Sequence, residues 1–200
     1  MNQGVSRAKR NTVGPASTRT LGRMKPVLWH ASDQEDIALF APRTPPSANA
    51  SVTHAVVWAV SAERLANYLV PRECPRVCFW LGQQTSTQDK VHFLGTRSVH
   101  VVTIESAWLP RVAAASLCLY QLPPDTFSCV DTNAGYFVSR TSVVPLRREV
   151  LRDLPAQIQR RGVELRISND LRRFGVEVAK STLSFSIIRM KNASTPANAA

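Results

Sequence analysis

His30 and Ser32 stand two residues apart at the end of a short apolar run, VLWHA at 27–31. A neutral imidazole can hydrogen-bond a ribose hydroxyl through one ring nitrogen. Ser32-Asp-Gln-Glu35 reads as a capping box that opens a short helix through Phe40. Free amides at such a helix start suit a phosphate. Arg43, Arg72 and Arg76 follow, and the guanidinium fork fits a diphosphate. Together these residue types sketch a nucleotide pocket. They fit a plainer arrangement equally well: a strand histidine bonded to backbone, with Ser32 as a simple cap. Glu105 ends the run at 98–105, where a carboxylate can act as a general base in a cleft or merely mark a helix start.

Other chemistries find less to work with. Cys74 and Cys78 have half the spacing of a zinc site, but no second close Cys/His pair follows. Cys78 and Cys118 lie in the apolar runs VCFW and LCLY, where cysteine behaves as a small core residue. His30, His54, His92 and His100 show no ligand spacing, so no metal is expected. No G-x-S-x-G elbow, GxGxxG loop or Walker loop is present. The four tryptophans all fall in or beside apolar runs, and Trp58 is the one that reads least clearly as core.

The elements that must carry these residues follow from periodicity. Strand-type runs occur at 27–31, 54–60, 76–81, 98–105, 116–122, 135–140 and 163–167. Helices are expected at 33–40, at 62–69 after Ser61, near 107–112, and at 154–161 between Asp153 and Gly162. The segment from Leu171 to Ile188 is compatible with a further helix, and 83–90 reads as a polar loop. Runs of strand are not separated by regular helices, which argues against a doubly wound parallel sheet. The expected fold is α+β: one domain at 25–193, with a mixed, largely antiparallel sheet of about seven strands and about four helices.

The chain has 200 residues, 44% of them hydrophobic and 20% charged, which is one globular domain's worth and composition. No apolar stretch is long enough to span a membrane. The net charge of +11 is unevenly placed. Residues 1–25 carry +6, residues 26–139 carry −2, and residues 140–200 carry +7. Nucleic acid could therefore be held through the basic ends, although such runs are often only solvated. Residues 1–24 read as a disordered basic extension, Met24 as a start, and 194–200 as a disordered tail. Lacking an apolar signal core, the chain is expected in the cytoplasm with reduced cysteines.

Four blocks are distinctive: LWHASDQEDIALFAPR (28–43), VVWAVSAERLANYLVPRECPRV (56–77), LYQLPPDTFSCVDTNAGYFVSR (119–140) and STLSFSIIRMKNA (181–193). They resemble a bacterial family of uncharacterised proteins that open on an "LFHVSE"-like strand. The likeness covers about Lys25 to Ala193 and implies no function. A more distant likeness is to the ADP-ribosyltransferase fold. There an early strand carries a His, followed by small and hydroxyl residues, that binds the adenosine ribose; His30-Ala31-Ser32 is similar. A second strand in that group places an aromatic ring on nicotinamide, and Trp58 holds the corresponding place in Val57-Trp58-Ala59. The group's catalytic Glu should come from a late strand. Glu105 and Glu164 are available, but neither has that context.

Two function classes result. One is binding of NAD or an ADP-ribosyl nucleotide through His30, Ser32, Trp58, Arg43, Arg72 and Arg76. In an enzyme of this class, Glu105 would be the catalytic residue and NAD a substrate rather than a resident cofactor. The other is non-enzymatic RNA or polyanion binding through the basic last third, residues 140–191.

Overall fold

Among the described residues ten strands build two sheets that share one core. The computed structural model describes residues 25–44 and 52–195. The extension 1–24 and tail residues 196–200 lie outside the described residues. In chain order the strands are β1 (Leu28–Ser32), β2 (Val57–Ser61), β3 (Arg76–Trp80), β4 (His100–Glu105), β5 (Leu117–Leu122), β6 (Ser128–Asp131), β7 (Tyr136–Ser139), β8 (Arg147–Leu151), β9 (Glu164–Ser168) and β10 (Ser184–Ile188). The α-helices are α1 (Thr87–Asp89), α2 (Leu109–Ala114), α3 (Leu154–Arg160) and α4 (Leu171–Lys180). A 3-10 helix, Ala62–Tyr68, follows β2, and a π-helical turn, Lys90–Leu94, continues α1.

The six-stranded sheet runs β6-β7-β2-β1-β5-β8 and is antiparallel throughout. The four-stranded sheet runs β10-β3-β4-β9, and its β4–β9 pair is parallel. The fold is therefore α+β and largely antiparallel, as the mixed order of the runs implies. The sheet is divided in two, and β6, β8 and β10 join the seven runs seen in the sequence.

Apolar residues explain the packing. Trp29, Val60, Leu117 and Leu119 of the six-stranded sheet meet Cys78, Trp80, Val102 and Ile104 of the four-stranded sheet, with Leu65, Leu154 and Ile158 from the helices closing the same core. β3 is buried along its whole length, so it needs apolar residues on both faces. Its second face packs Val77 and Phe79 on Leu171 and Val178 of α4. The opposite face of the six-stranded sheet carries a smaller cluster of Leu28, Phe40, Val57, Ala59, Tyr120 and Leu122.

The helix expected at 33–40 is absent. The Ser32 Oγ accepts from the amide of Gln34 at 3.1 Å instead of the amide of Glu35. The Gln34 carbonyl accepts from the Tyr120 hydroxyl at 2.7 Å, and the Glu35 carbonyl accepts from Arg148. Phe40 then pairs with Val143 as an isolated bridge. Carbonyls that a helix would use internally are thus taken by donors from β5 and β8. The helix expected at 62–69 is present but wound as a 3-10 helix without a side-chain cap from Ser61. Asp153 does cap α3, accepting from the amide of Ala156 at 3.3 Å, and Gly162 follows it at φ +71°. The single helix expected across 171–188 is instead α4 followed by β10, and α1 rises from the expected loop at 83–90.

Candidate functional site

β1 and β2 are adjacent, yet their ladder lasts only two pairs, Leu28↔Ser61 and Trp29↔Val60. Beyond that point the ladder opens, and the His30 side chain bonds across to the β2 backbone. Its Nδ1 lies 2.9 Å from the Trp58 carbonyl oxygen. A carbonyl can only accept, so Nδ1 carries the proton, and in the neutral ring Nε2 keeps its lone pair. Burial pushes the His30 pKa down and the positive charges of Arg72 and Arg43 push it the same way, against the bond to Trp58. The ring is therefore a neutral hydrogen-bond acceptor at Nε2.

The imidazole and the indole lie on opposite faces of the six-stranded sheet, so the structure does not bring the two rings together. His30 packs on Phe40 with ring centroids 4.8 Å apart, on the side of Val57, Ala59 and Tyr120. Trp58 alternates with Val57 and Ala59, so its ring points the other way, onto Val138 and Tyr136. Its edge contact with Tyr136 has a centroid distance of 5.9 Å. The Tyr136 hydroxyl in turn accepts from the Tyr68 hydroxyl at 2.5 Å, and burial holds the Tyr68 phenol well above its ordinary pKa. Tyr68 and Tyr136 are candidates that the sequence did not single out. They lie 68 residues apart, and only the β2–β7 pairing and the 3-10 helix bring them together.

The remaining expected residues are distributed as follows. Arg43 and Arg72 are exposed and near enough to His30 to oppose a charge on its ring. Arg76 is buried, and donates from Nε to the Asn67 carbonyl and from Nη1 to the Cys74 carbonyl, both at 2.8 Å. Its guanidinium holds backbone and lies over the Tyr68 ring, 5.4 Å from the centroid. Ser32 serves the turn described above. Because no helix starts there, no helix dipole faces His30, contrary to the expected phosphate cradle. Glu105 is buried at the end of β4 on the other sheet, where Oε1 and Oε2 accept from the amide and hydroxyl of Ser194 at 2.9 and 3.1 Å. It ties down the chain one residue past the expected domain end.

Several basic residues of the last third are engaged within the fold. Arg147 bonds Gln121, Arg148 bonds the Glu35 carbonyl, Arg166 bonds Glu164 and the Phe93 carbonyl, and Arg172 bonds the Ala193 and Ser194 carbonyls. Burial pushes the Cys74 and Cys78 thiols up to about 12, which makes both poor thiolates. Among the described residues no three His, Cys, Asp or Glu side chains gather as metal ligands. None of the described helices is long and apolar enough to cross a membrane.

Neither a curated protein nor a solved structure matches the chain. The expected likeness to ADP-ribosyltransferases finds no support in these comparisons. The resemblance carried by the four sequence blocks has a counterpart in a family model that spans nearly the whole fold. Residues 29–193 match this family of unknown function (DUF6886), and the chain belongs to it.

Proposed function

We propose that the protein binds NAD or a related ADP-ribosyl nucleotide where the β1–β2 ladder ends. The observation that carries this reading is the bond from His30 to the Trp58 carbonyl, which leaves Nε2 as an acceptor for a ribose hydroxyl. Arg43 and Arg72 add positive potential beside it for a diphosphate. Trp58 and Tyr136 lie on the other face of the six-stranded sheet and take no part in this reading. The reading is one of binding. Glu105 and Arg76 take no part in it, and a transfer step would need a carboxylate other than Glu105.

The test is a thermal-shift panel on the full chain with NAD, NADP, ADP-ribose, ATP and a short RNA, with His30→Ala alongside. A ligand at about 100 times its Kd adds about 2.7 kcal/mol, a shift of a few degrees for a chain of this size. The expected result is a shift with NAD or ADP-ribose that disappears in His30→Ala and changes little with salt. A flat nucleotide panel overturns the reading. A shift with RNA alone that falls steeply with salt would favour polyanion binding instead.

A further inference from the structure

A second cleft opens between the two sheets, on the side of the 3-10 helix that carries Arg64. One lobe, about 390 Å³, has walls of Ala62, Ala66, Val99, Gly162 and Val163. A second lobe of about 680 Å³ is lined by polar groups that include Gln83, Gln84, Thr132, Asn133 and Ser184. The lobes share Arg64, Trp80 and Leu81.

Arg64 is held in place from three sides. Its guanidinium lies over the Trp80 ring, 4.2 Å from the centroid. Its Nε donates to the Asn133 carbonyl at 3.1 Å. The turn between β6 and β7 also fits against its stem. At Gly135, with φ +67°, an added Cβ would come within 2.8 Å of Arg64 Cγ and 2.5 Å of Ser61 Oγ. Among the described residues both terminal nitrogens of Arg64 lack a protein acceptor, and no carboxylate forms a salt bridge with it. Glu63 lines the apolar lobe but stays outside that reach. Arg161 lines the same lobe and adds a second positive charge. His100, also at the wall, is neutral at ordinary pH because burial and Arg64 push its pKa down to about 4.

A planar fork fixed at Nε, stacked on an indole and lacking a carboxylate partner is arranged for an oxygen anion from outside. We propose that this cleft binds a small organic oxyanion, a phosphate or carboxylate on a compact apolar body. The two terminal nitrogens of Arg64 take the anion and the apolar lobe takes the body. The site is separate from the opening at His30 and does not depend on the nucleotide reading.

The test is NMR titration of the full, ¹⁵N-labelled chain, reading the Trp80 indole N–H. The probes are phenyl phosphate, benzoate, inorganic phosphate and the neutral benzyl alcohol. Saturable shifts are expected with phenyl phosphate or benzoate, and the stronger of the two identifies the anion. Benzyl alcohol should give none. Arg64→Gln should lower affinity about tenfold or more, and Arg64→Lys, which keeps the charge without the fork, by less. His30→Ala should bind as the parent does. Should Arg64→Gln fail to fold, the loss in Arg64→Lys decides. The proposal is overturned if neither anion gives a saturable shift, if folded Arg64 variants bind as tightly as the parent, or if inorganic phosphate binds as tightly as phenyl phosphate.

Discussion

His30 and His100 invite comparison, since both are strand histidines whose surroundings keep the ring neutral. His100 lies at the start of β4, where Nε2 donates to Asn67 Oδ1 at 2.8 Å and the ring packs edge-on to Trp80 at 5.4 Å. Asn67 is buried too, and its carbonyl receives Arg76. This histidine is one link of an internal polar chain. Among the described residues His30 bonds one backbone carbonyl, and it stands where the β1–β2 ladder ends. The difference lies in what surrounds each ring: a closed network in one case, an opening with a free acceptor in the other. Neutrality alone therefore does not mark a binding histidine.

The sharpest way to break this comparison is truncation. His100→Ala should cost about 3–4 kcal/mol, because it opens a cavity and strands the buried Asn67 amide; urea denaturation of the purified variant measures it. Acid should discriminate nearly as well. Unfolded His100 takes up a proton near pH 6.5, whereas in the fold it does so only near about 4. The unfolded state thus holds more protons between these values, so stability falls as pH drops through that window, by roughly 3 kcal/mol in all. His30, shifted in the same direction, adds to the same limb. His100→Phe should flatten most of the limb and leave the His30 part, as urea midpoints at pH 7, 5.5 and 4 would show.

Arg76→Gln should follow at about 2 kcal/mol, since it removes donors from the Asn67 and Cys74 carbonyls. A loss near zero would detach Arg76 from the network on the His100 side. His30→Ala should cost only about 1 kcal/mol by urea denaturation, because the ring is partly exposed and makes one hydrogen bond. A loss as large as that of His100→Ala would make both residues structural and erase the distinction. Ser32→Ala is the smallest, under about 0.5 kcal/mol, as its hydroxyl closes an exposed turn rather than a helix.

What could be read in the sequence was what the core enforces. β2, β3, β4, β5 and β7 show as apolar runs because neighbours cover them. β6 and β8 are exposed along almost their whole length, and Arg147-Arg-Glu-Val-Leu151 carries no apolar pattern to detect. β10 alternates as Ser184-Phe-Ser-Ile-Ile188, but its apolar residues also continue the helical spacing of α4. The missing helix at 33–40 depends on Tyr120 and Arg148, more than eighty residues away, so no local signal could have revealed it. At the site, the pairing of β1 with β2 makes neighbours of His30 and Trp58. The face each ring occupies, and the commitment of Arg76 and Glu105 elsewhere, are tertiary facts.

The order of strands also bears on how the chain reaches its folded state. β3 and β4 form the middle of the four-stranded sheet, yet their outer partners β9 and β10 come only after β5 to β8 have been laid into the other sheet. Neither sheet can be completed from one continuous stretch of chain. Such interleaving demands long loop closures before the central pairings are rewarded, which slows folding relative to proteins of local topology. It also means that a cut anywhere between β4 and β8 removes partners from both sheets at once. Fragments split there should be unstructured alone and regain order only when mixed.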